Sequence, residues 1–248
     1  MNLSFIVPQW PAPGNILAGV TTRKNGVSLG AYASFNLGDH VLDNPLNVAQ
    51  NRQQLQTLLN LPKEPHWLTQ VHGAEAVLLP QEQERTADAA LTRTPNTVCV
   101  VMTADCLPLL ICNKQGTEVA AVHAGWKGLA LGVIEAAIIR MRSKPQDLLV
   151  WLGPGISQQH FEVGAEVLNT FVGLHAEHKQ AFVVADKAGL YRANLYVIAR
   201  QKLAILGVKD VYGGDFCTYA QEDLFYSHRR DNGVTGRMAS LIYFKGAA

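Results

Sequence analysis

Apolar residues recur at helical spacing in four stretches of the chain. In residues 47–60, apolar side chains such as Val48, Leu55 and Leu58 are separated by polar positions, so that they would lie on one face of a helix. The stretch ends at a Leu-Pro pair, which is typical of a helix terminus. By the same reasoning, we predict further helices over residues 129–142, 162–174 and 190–206.

Shorter apolar runs, many of them rich in β-branched residues, predict a β-sheet. Residues 98–122 divide into strands at 98–102, 109–112 and 119–122, and other strands are expected at 18–22, 148–152, 211–212 and 241–244. Strands and helices do not alternate strictly, so the pattern favours an α+β fold with a mixed β-sheet over a doubly wound parallel sheet. Because no polar linker interrupts the chain, a single domain over residues 1–248 is expected.

Composition and charge exclude several classes of protein. The 248 residues are 48% hydrophobic and 17% charged, which is incompatible with a mainly disordered chain. A net charge of +1 does not favour nucleic acid as a partner, and no apolar run approaches the roughly 18 residues of a membrane span. The N-terminus lacks the features of a signal peptide, and the four cysteines form no close pair. We therefore expect a cytoplasmic protein, either a monomer or a homodimer.

Three chemically distinctive residues stand near the ends of predicted strands. Cys106 follows the strand at 98–102, and His123 follows the strand at 119–122. An antiparallel hairpin of the strands at 109–112 and 119–122 would bring His123 back to Cys106. His72, beside a glycine, is predicted to end another strand. These three residues are candidates for one site.

One thiolate and two imidazoles, with a fourth position left to water, are a ligand set of catalytic zinc, which lowers the pKa of bound water toward about 7. Two other interpretations remain open. Cys106 and the histidines can be ordinary buried residues. Alternatively, Cys106 and His123 can be the nucleophile and general base of a thiol hydrolase that cleaves amide or ester bonds. The spacing of the residues does not decide among the three.

Basic residues suited to an anion lie in nearby segments. Lys127 lies in the turn before the helix predicted from residue 129, where free backbone N–H groups also attract anions. Arg229, Arg230 and, in our preferred interpretation, Arg237 are suited to clamp a phosphate or carboxylate. Asp105 adjoins the candidate cysteine and is suited to move protons, although a carboxylate at that position also commonly caps a turn.

Several motifs together resemble the bacterial YfiH/YlmD laccase-domain family. The resemblance covers nearly the whole chain in order, and such a set of motifs is highly specific. The motifs are Ser34-Phe35-Asn36-Leu37-Gly38, Gln70-Val71-His72-Gly73, Thr103-Ala104-Asp105-Cys106-Leu107-Pro108, Ala121-Val122-His123-Ala124-Gly125-Trp126, Leu152-Gly153-Pro154 and Thr235-Gly236-Arg237-Met238-Ala239-Ser240.

The resemblance implies a YfiH-like α+β domain that binds zinc and acts on purine nucleosides. The implied reactions are phosphorolysis of adenosine, inosine, guanosine and methylthioadenosine, and hydrolytic deamination of adenosine. Small-molecule nucleosides and phosphate are then the expected partners. The resemblance implies zinc ligands at His72, Cys106 and His123. Beside these ligands, we expect catalytic roles for Asp105, Cys106 and His123, and contacts to phosphate or substrate from Asn36, Lys127 and Arg237.

An older label of the same family is copper-dependent polyphenol oxidase, or laccase. A multicopper cluster needs many histidines, yet the eight histidines include no H-x-H pair, and a single copper site would still want a weak axial ligand such as Met102. We therefore rank oxidase below phosphorylase. The chain also lacks the H-x-E and P-C-x-x-C pattern of ordinary nucleobase deaminases. A binding module stabilised by its metal is the non-enzymatic alternative.

Overall fold

A computed structural model describes residues 5–246, in which β-strands are more numerous than helices. In chain order, the strands are β1 (Phe5–Ile6), β2 (Ile16–Thr21), β3 (Ala76–Leu79), β4 (Ala89–Thr92), β5 (Cys99–Thr103), β6 (Leu107–Asn113), β7 (Val119–Ala124), β8 (Leu148–Leu152), β9 (Glu162–Gly164), β10 (Phe182–Val184), β11 (Leu190–Ala193), β12 (Asp210–Gly213) and β13 (Met238–Phe244). The α-helices are α1 (Pro45–Leu58), α2 (Trp126–Leu131), α3 (Val133–Arg140), α4 (Ala165–Leu174) and α5 (Leu195–Ile205).

The strands form three sheets. The largest has six strands in the order β12-β8-β6-β7-β4-β3, the second has the order β1-β2-β13-β5, and a small third has the order β10-β11-β9. In the six-stranded sheet, the outer pairs β12-β8 and β4-β3 are parallel, whereas the pairs between them are antiparallel. The predicted α+β fold with a mixed sheet is thereby confirmed.

The two larger sheets pack face to face, with helices outside. On one face of the six-stranded sheet, Leu109 packs with residues of α3 and α5. The next residue, Leu110, points to the opposite face and joins Ile242 of the four-stranded sheet in a second core. Beyond that sheet, Leu241 packs with Leu55 of α1 in a third core. This alternation of side chains along each strand builds four layers, and each fully buried leucine contributes about 1.5–3 kcal/mol.

Several predicted elements agree with the structure to within a few residues. Helix α1 begins at Pro45, two residues before the predicted start, because the Asn44 side chain caps it by accepting a hydrogen bond from the backbone N–H of Leu46. Strand β8 has the predicted bounds, and β5, β6 and β7 lie in the region predicted to form the sheet. Within residues 5–246, no helix has both the length and the apolar character that crossing a bilayer requires.

Three predicted helices were wrong in extent. The helix predicted at 129–142 is two helices, α2 and α3, separated by Gly132 in the left-handed conformation (φ 92°). Residues 162–164 of the second predicted helix form β9, which pairs with β11. In the third, residues 190–193 form β11 instead, and α5 starts only after Asn194, whose side chain accepts a hydrogen bond from Val197 N. In each case, strand pairing or a local cap overrides helical spacing.

Candidate metal centre and substrate cavity

The hairpin of β6 and β7 brings Cys106 and His123 together, as predicted. Pro108 pairs with His123, and Leu107 pairs with Ala124, so the start of β6 lies beside the end of β7. Cys106 immediately precedes β6. His123 is the penultimate residue of β7, rather than following it, and its side chain is buried at 3% exposure. Local topology therefore fixes two of the three candidate residues.

His72 reaches the same place from a loop. The prediction that it ends a strand is wrong, since residues 70–75 lie outside the strands and His72 has a left-handed backbone (φ 59°). This loop is fastened to β5 by Gln70, whose side chain donates to the carbonyl of Met102 (2.8 Å) and accepts from its N–H (2.7 Å). The side chain of His72 is exposed at the mouth of the site.

The three side chains form a compact donor set. One ligand atom from each of His72, Cys106 and His123 lies within 4.8 Å of the others, and Cys106 Sγ is 3.7 Å from His72 Nε2. Zinc–sulfur and zinc–nitrogen bonds of about 2.3 and 2.0 Å in a tetrahedron place the two ligand atoms about 3.5 Å apart. The residues therefore fit a metal ion. Within residues 5–246, no fourth cysteine, histidine or carboxylate joins this group, which is the pattern of an open rather than a closed centre.

Asp88, which precedes β4 and is fully buried, touches both histidine-bearing segments. His123 Nδ1 lies 2.7 Å from Asp88 Oδ1, which leaves the Nε2 atom of His123 for Cys106 and a metal. The same carboxylate accepts hydrogen bonds from the backbone N–H groups of Val71 (3.2 Å), His72 (3.0 Å) and Gly73 (2.7 Å). Asp88 was not among the site residues predicted from the sequence.

The electrostatics favour an ion pair in the metal-free centre. Burial would raise the pKa of Cys106, but the positive charge of His123 and hydrogen bonds to both histidines lower it to about 6. Burial would likewise lower the pKa of His123, but the Cys106 thiolate and the hydrogen bond to Asp88 raise it to about 9. Burial also opposes ionisation of Asp88, yet its bond to His123 holds its pKa below the ordinary value. At neutral pH, Cys106 is thus already a thiolate, whereas the protonated His123 must release the proton on Nε2 when a metal binds there.

Gly125 leaves room for the ligands. Its backbone has ordinary angles (φ −68°, ψ 164°), so its conformation does not require glycine. A Cβ atom at this position, however, would lie 2.9 Å from both Cys106 Sγ and His72 Cδ2. The glycine after β7 is therefore needed for space beside the centre, not for a special turn.

The centre opens into a cavity of about 480 Å³. Its wall combines apolar and aromatic residues with basic ones. The cations lie beside the aromatic rings, with Lys127 Nζ 5.8 Å from the centre of the Trp126 ring and the Arg229 guanidinium over Phe161. Within residues 5–246, Lys127, Arg229 and Arg237 on this wall form no ion pair with a carboxylate, although other side chains form eleven such pairs. The lining residues are His40, Gln70, Val71, His72, Met102, Thr103, Ala104, Asp105, Cys106, His123, Trp126, Lys127, Ile156, Phe161, Leu195, His228, Arg229 and Arg237.

The basic side chains are held in different ways. Arg237 donates to the carbonyls of Thr235 and Gly236, each at 3.0 Å, and it is half-buried. Arg229 donates to the carbonyl of Glu162 (2.9 Å), and its guanidinium lies 5.4 Å from the centre of the Phe161 ring. Lys127 is exposed at the start of α2. Because α2 has only six residues, the helix contributes little to anion binding here, and the side chain carries the charge.

Asp105 and Asn36 are placed differently from the predicted contacts. Asp105 lines the cavity, but its two carboxylate oxygens already accept hydrogen bonds from the Thr218 hydroxyl (2.6 Å) and the Arg229 N–H (2.7 Å). Asn36 is fully buried and is not part of the cavity wall. Its side-chain oxygen accepts hydrogen bonds from the backbone N–H groups of Arg237 and Gly38, both at 2.9 Å. Asn36 therefore fixes the backbone of Arg237 without lining the cavity itself.

Known proteins share this fold and sequence. A protein from Escherichia coli K12 named purine nucleoside phosphorylase YfiH is 50% identical over 242 residues, which cover 96% of this chain and 98% of the relative. A purine nucleoside phosphorylase from Haemophilus influenzae is 49% identical and covers 98% of this chain and 100% of the relative. The crystal structure of Neisseria meningitidis protein NMB0706 superposes with a TM-score of 0.93 at 45% identity, covering 98% of this chain and 99% of that one.

More distant relatives retain the architecture. YlmD from Geobacillus stearothermophilus, at 29% identity, superposes with a TM-score of 0.89 over 95% of this chain and 94% of that one. The resemblance to the YfiH/YlmD proteins is therefore confirmed. Since the family model described as multi-copper polyphenol oxidoreductase laccase matches residues 17–245, which include the candidate centre and its cavity, the chain belongs to that family.

Proposed function

We propose that this protein is a zinc-dependent purine nucleoside phosphorylase with an additional adenosine deaminase activity. The observation that carries the proposal is an open His-Cys-His donor set at the edge of a cavity whose wall is partly aromatic and partly cationic. The names of the E. coli and H. influenzae relatives support the same reaction. Adenosine, inosine, guanosine and methylthioadenosine are the proposed substrates.

The cationic wall would hold the attacking phosphate. In phosphorolysis, a phosphate oxygen bonds to the anomeric carbon of the ribose, the bond from that carbon to purine N9 breaks, and the purine leaves with the electron pair and gains a proton. Within the described residues 5–246, Lys127 and Arg237 form no ion pair with a carboxylate, so both side chains are suited to bind phosphate. Arg229 adds a third cation. Because its N–H is held by Asp105, we propose that Asp105 positions Arg229; to carry a proton as well, it would have to give up one of its present bonds.

The apolar wall would hold the purine. Trp126 and Phe161 offer aromatic faces, and Ile156 and Leu195 complete an apolar surface in the same cavity. Stacking of a base on an aromatic ring is worth about 1–3 kcal/mol and tolerates different bases. This wall therefore suits a range of purines.

The donor set supports zinc more than a redox metal. A zinc ion held by His72, Cys106 and His123 would act as a Lewis acid and would supply hydroxide for deamination. A copper centre of the electron-transfer type would use a weak axial ligand, for which Met102 was the candidate. Met102 belongs to β5 and is among the cavity-lining residues, but it packs in the core that includes Leu55 of α1, and its sulfur lies 3.9 Å from the Arg52 guanidinium. The absence of a fourth ligand within residues 5–246 also favours a catalytic centre over a metal that only stabilises a binding module.

A thiol hydrolase remains the second candidate because of one specific contact. Asp88, His123 and Cys106 form the carboxylate–imidazole–thiol series that activates cysteine nucleophiles, and the pKa of Cys106 is lowered to about 6. Such an enzyme needs no metal. It would be inactivated by alkylation of Cys106 but not by a chelator.

Chelation separates the two candidates. Purified protein is stripped of metal, reloaded with zinc or copper, and assayed for free base released from inosine in the presence of phosphate. The proposal expects activity to disappear on chelation and to return with zinc. Full release of base by the metal-free protein would overturn the metal requirement. No release by the zinc-loaded protein, together with cleavage of an amide or ester probe that alkylation of Cys106 abolishes and chelation does not, would favour the hydrolase.

A further inference from the structure

One buried carboxylate joins the two histidine-bearing segments of the proposed metal centre. Asp88 Oδ1 meets His123 Nδ1 at 2.7 Å and the His72 N–H at 3.0 Å, while Oδ2 accepts from Gly73 (2.7 Å) and Val71 (3.2 Å). Four contacts to one side chain with no solvent exposure are well beyond what closing a turn requires. These contacts fix the ring of His123 and the backbone of His72.

The backbone contacts matter because His72 has a left-handed conformation, at φ 59°. For a residue other than glycine this conformation costs free energy, so it persists only where neighbouring groups hold it. The three consecutive N–H groups of residues 71–73 all point to the Asp88 carboxylate. This carboxylate therefore holds the His72 loop in the conformation that presents its ring to Cys106.

Both carboxylate oxygens of Asp88 have to accept hydrogen bonds, Oδ1 from His123 Nδ1 and Oδ2 from backbone N–H groups of the loop. With Asp88, a proton stays on Nδ1, and the Nε2 atom faces the other ligands. An asparagine cannot meet both demands. If its oxygen faces the loop, its NH₂ group faces Nδ1 and favours the tautomer with the proton on Nε2, where a metal must bind. If its oxygen faces His123 instead, its NH₂ group faces the backbone N–H groups of the loop, so that donors meet donors.

We propose that Asp88 is a positioning residue that assembles the metal centre before any metal binds, by holding the His72 loop and the Nδ1–H form of His123 with the same carboxylate. The inference rests on the proposed metal-dependent function. Asp88 would touch neither the metal nor the substrate, but it would determine the affinity of the centre for the metal. Carboxylates that bond to metal-binding histidines typically change metal affinity by about 10–100-fold.

The test compares Asp88→Asn with a matched control, Glu118→Gln. Glu118 is also a buried carboxylate (2% exposed) that accepts backbone N–H groups, those of Arg142 and Ser143, and it lies outside the cavity. Zinc affinity is measured by competition with a chromophoric chelator, and unfolding of the metal-free proteins is measured alongside. We expect Asp88→Asn to weaken zinc binding by about 10–100-fold and Glu118→Gln to change only stability.

A second measurement works without metal. In the metal-free wild type, nitrogen-15 spectra of the histidine rings should show a slowly exchanging proton on His123 Nδ1, and Asp88→Asn should lose this signal while the signals of other histidines stay. An unchanged zinc affinity together with an unchanged Nδ1 signal would overturn the positioning role. If the wild type binds no zinc at all but the Nδ1 signal depends on Asp88, the proposed metal-dependent function fails while the positioning of His123 stands.

Discussion

Replacing Gly125 by alanine should damage the metal centre while sparing the fold. The added Cβ would lie 2.9 Å from Cys106 Sγ and His72 Cδ2, whereas ordinary contacts between heavy atoms begin at about 3.5 Å. The ligands must therefore separate by about 0.6 Å, which exceeds the roughly 0.5 Å within which a site has to be held. Since the backbone angles at Gly125 suit alanine and the His72 ring is exposed, the ring can swing outward with little cost to stability.

Gly125→Ala should therefore weaken zinc binding at least tenfold, about 1.4 kcal/mol, while lowering the free energy of unfolding of the metal-free protein by less than about 1 kcal/mol. Chelator competition and urea titration measure the two quantities. Gly173→Ala is the control, because a Cβ there, near the C-terminal end of α4, meets nothing within 4 Å. Wild-type zinc affinity in Gly125→Ala would refute the assignment of these side chains as ligands.

Other substitutions test the remaining parts of the site. Cys106→Ala should abolish both zinc binding and nucleoside turnover with the fold intact, as measured by metal analysis and circular dichroism. Lys127→Ala and Arg237→Ala should each raise the KM for phosphate by about tenfold, because a hydrogen bond to a charged group is worth about 1.5–3 kcal/mol. Phe161→Ala should raise the KM for inosine by a similar factor through lost stacking. In metal-free protein, alkylation of Cys106 by iodoacetamide should increase with pH through a midpoint at about 6, because the thiolate is the reactive form, whereas Cys112, with a pKa raised to about 12, should stay inert.

Each of these outcomes has a result that contradicts it. Zinc retained at full occupancy in Cys106→Ala would remove the thiolate from the ligand set. For phosphate, Lys63→Ala is the control, since Lys63 is exposed and lies outside the cavity; an equal effect of this variant would indicate general electrostatics only. An unchanged KM for inosine in Phe161→Ala would place the purine elsewhere. An alkylation midpoint near the ordinary thiol value of 9.0 would mean that His123 does not stabilise the thiolate.

The parts of the site that were predictable from sequence are those built by local chain topology. Two short strands joined by a turn can only return as a hairpin, so the proximity of Cys106 and His123 followed from the sequence. The prediction that His72 ends a strand was wrong. Its loop is instead fixed by hydrogen bonds between Gln70 and Met102 and between residues 71–73 and Asp88, which apolar patterns do not reveal.

Asp88 was missed because it meets His123 through the pairing of β4 with β7, a long-range register that periodicity does not encode. The segment Thr86-Ala87-Asp88 matches Thr103-Ala104-Asp105 in sequence, and this similarity was a signal that led to no prediction. Both aspartates turn out to be buried acceptors of backbone N–H groups beside the cavity. The predicted helix bounds were wrong for a related reason, because residues 190–193 form a strand by pairing with β9 and β10.

The central claim is tested most directly by identifying the products formed from inosine. Zinc-loaded protein is incubated with inosine, with and without phosphate, and the products are separated and quantified. Zinc-dependent phosphorolysis predicts hypoxanthine and ribose 1-phosphate in equal amounts, only when phosphate is present and only when the protein holds metal. Hypoxanthine with free ribose in the absence of phosphate, or no turnover by the zinc-loaded protein, would contradict it.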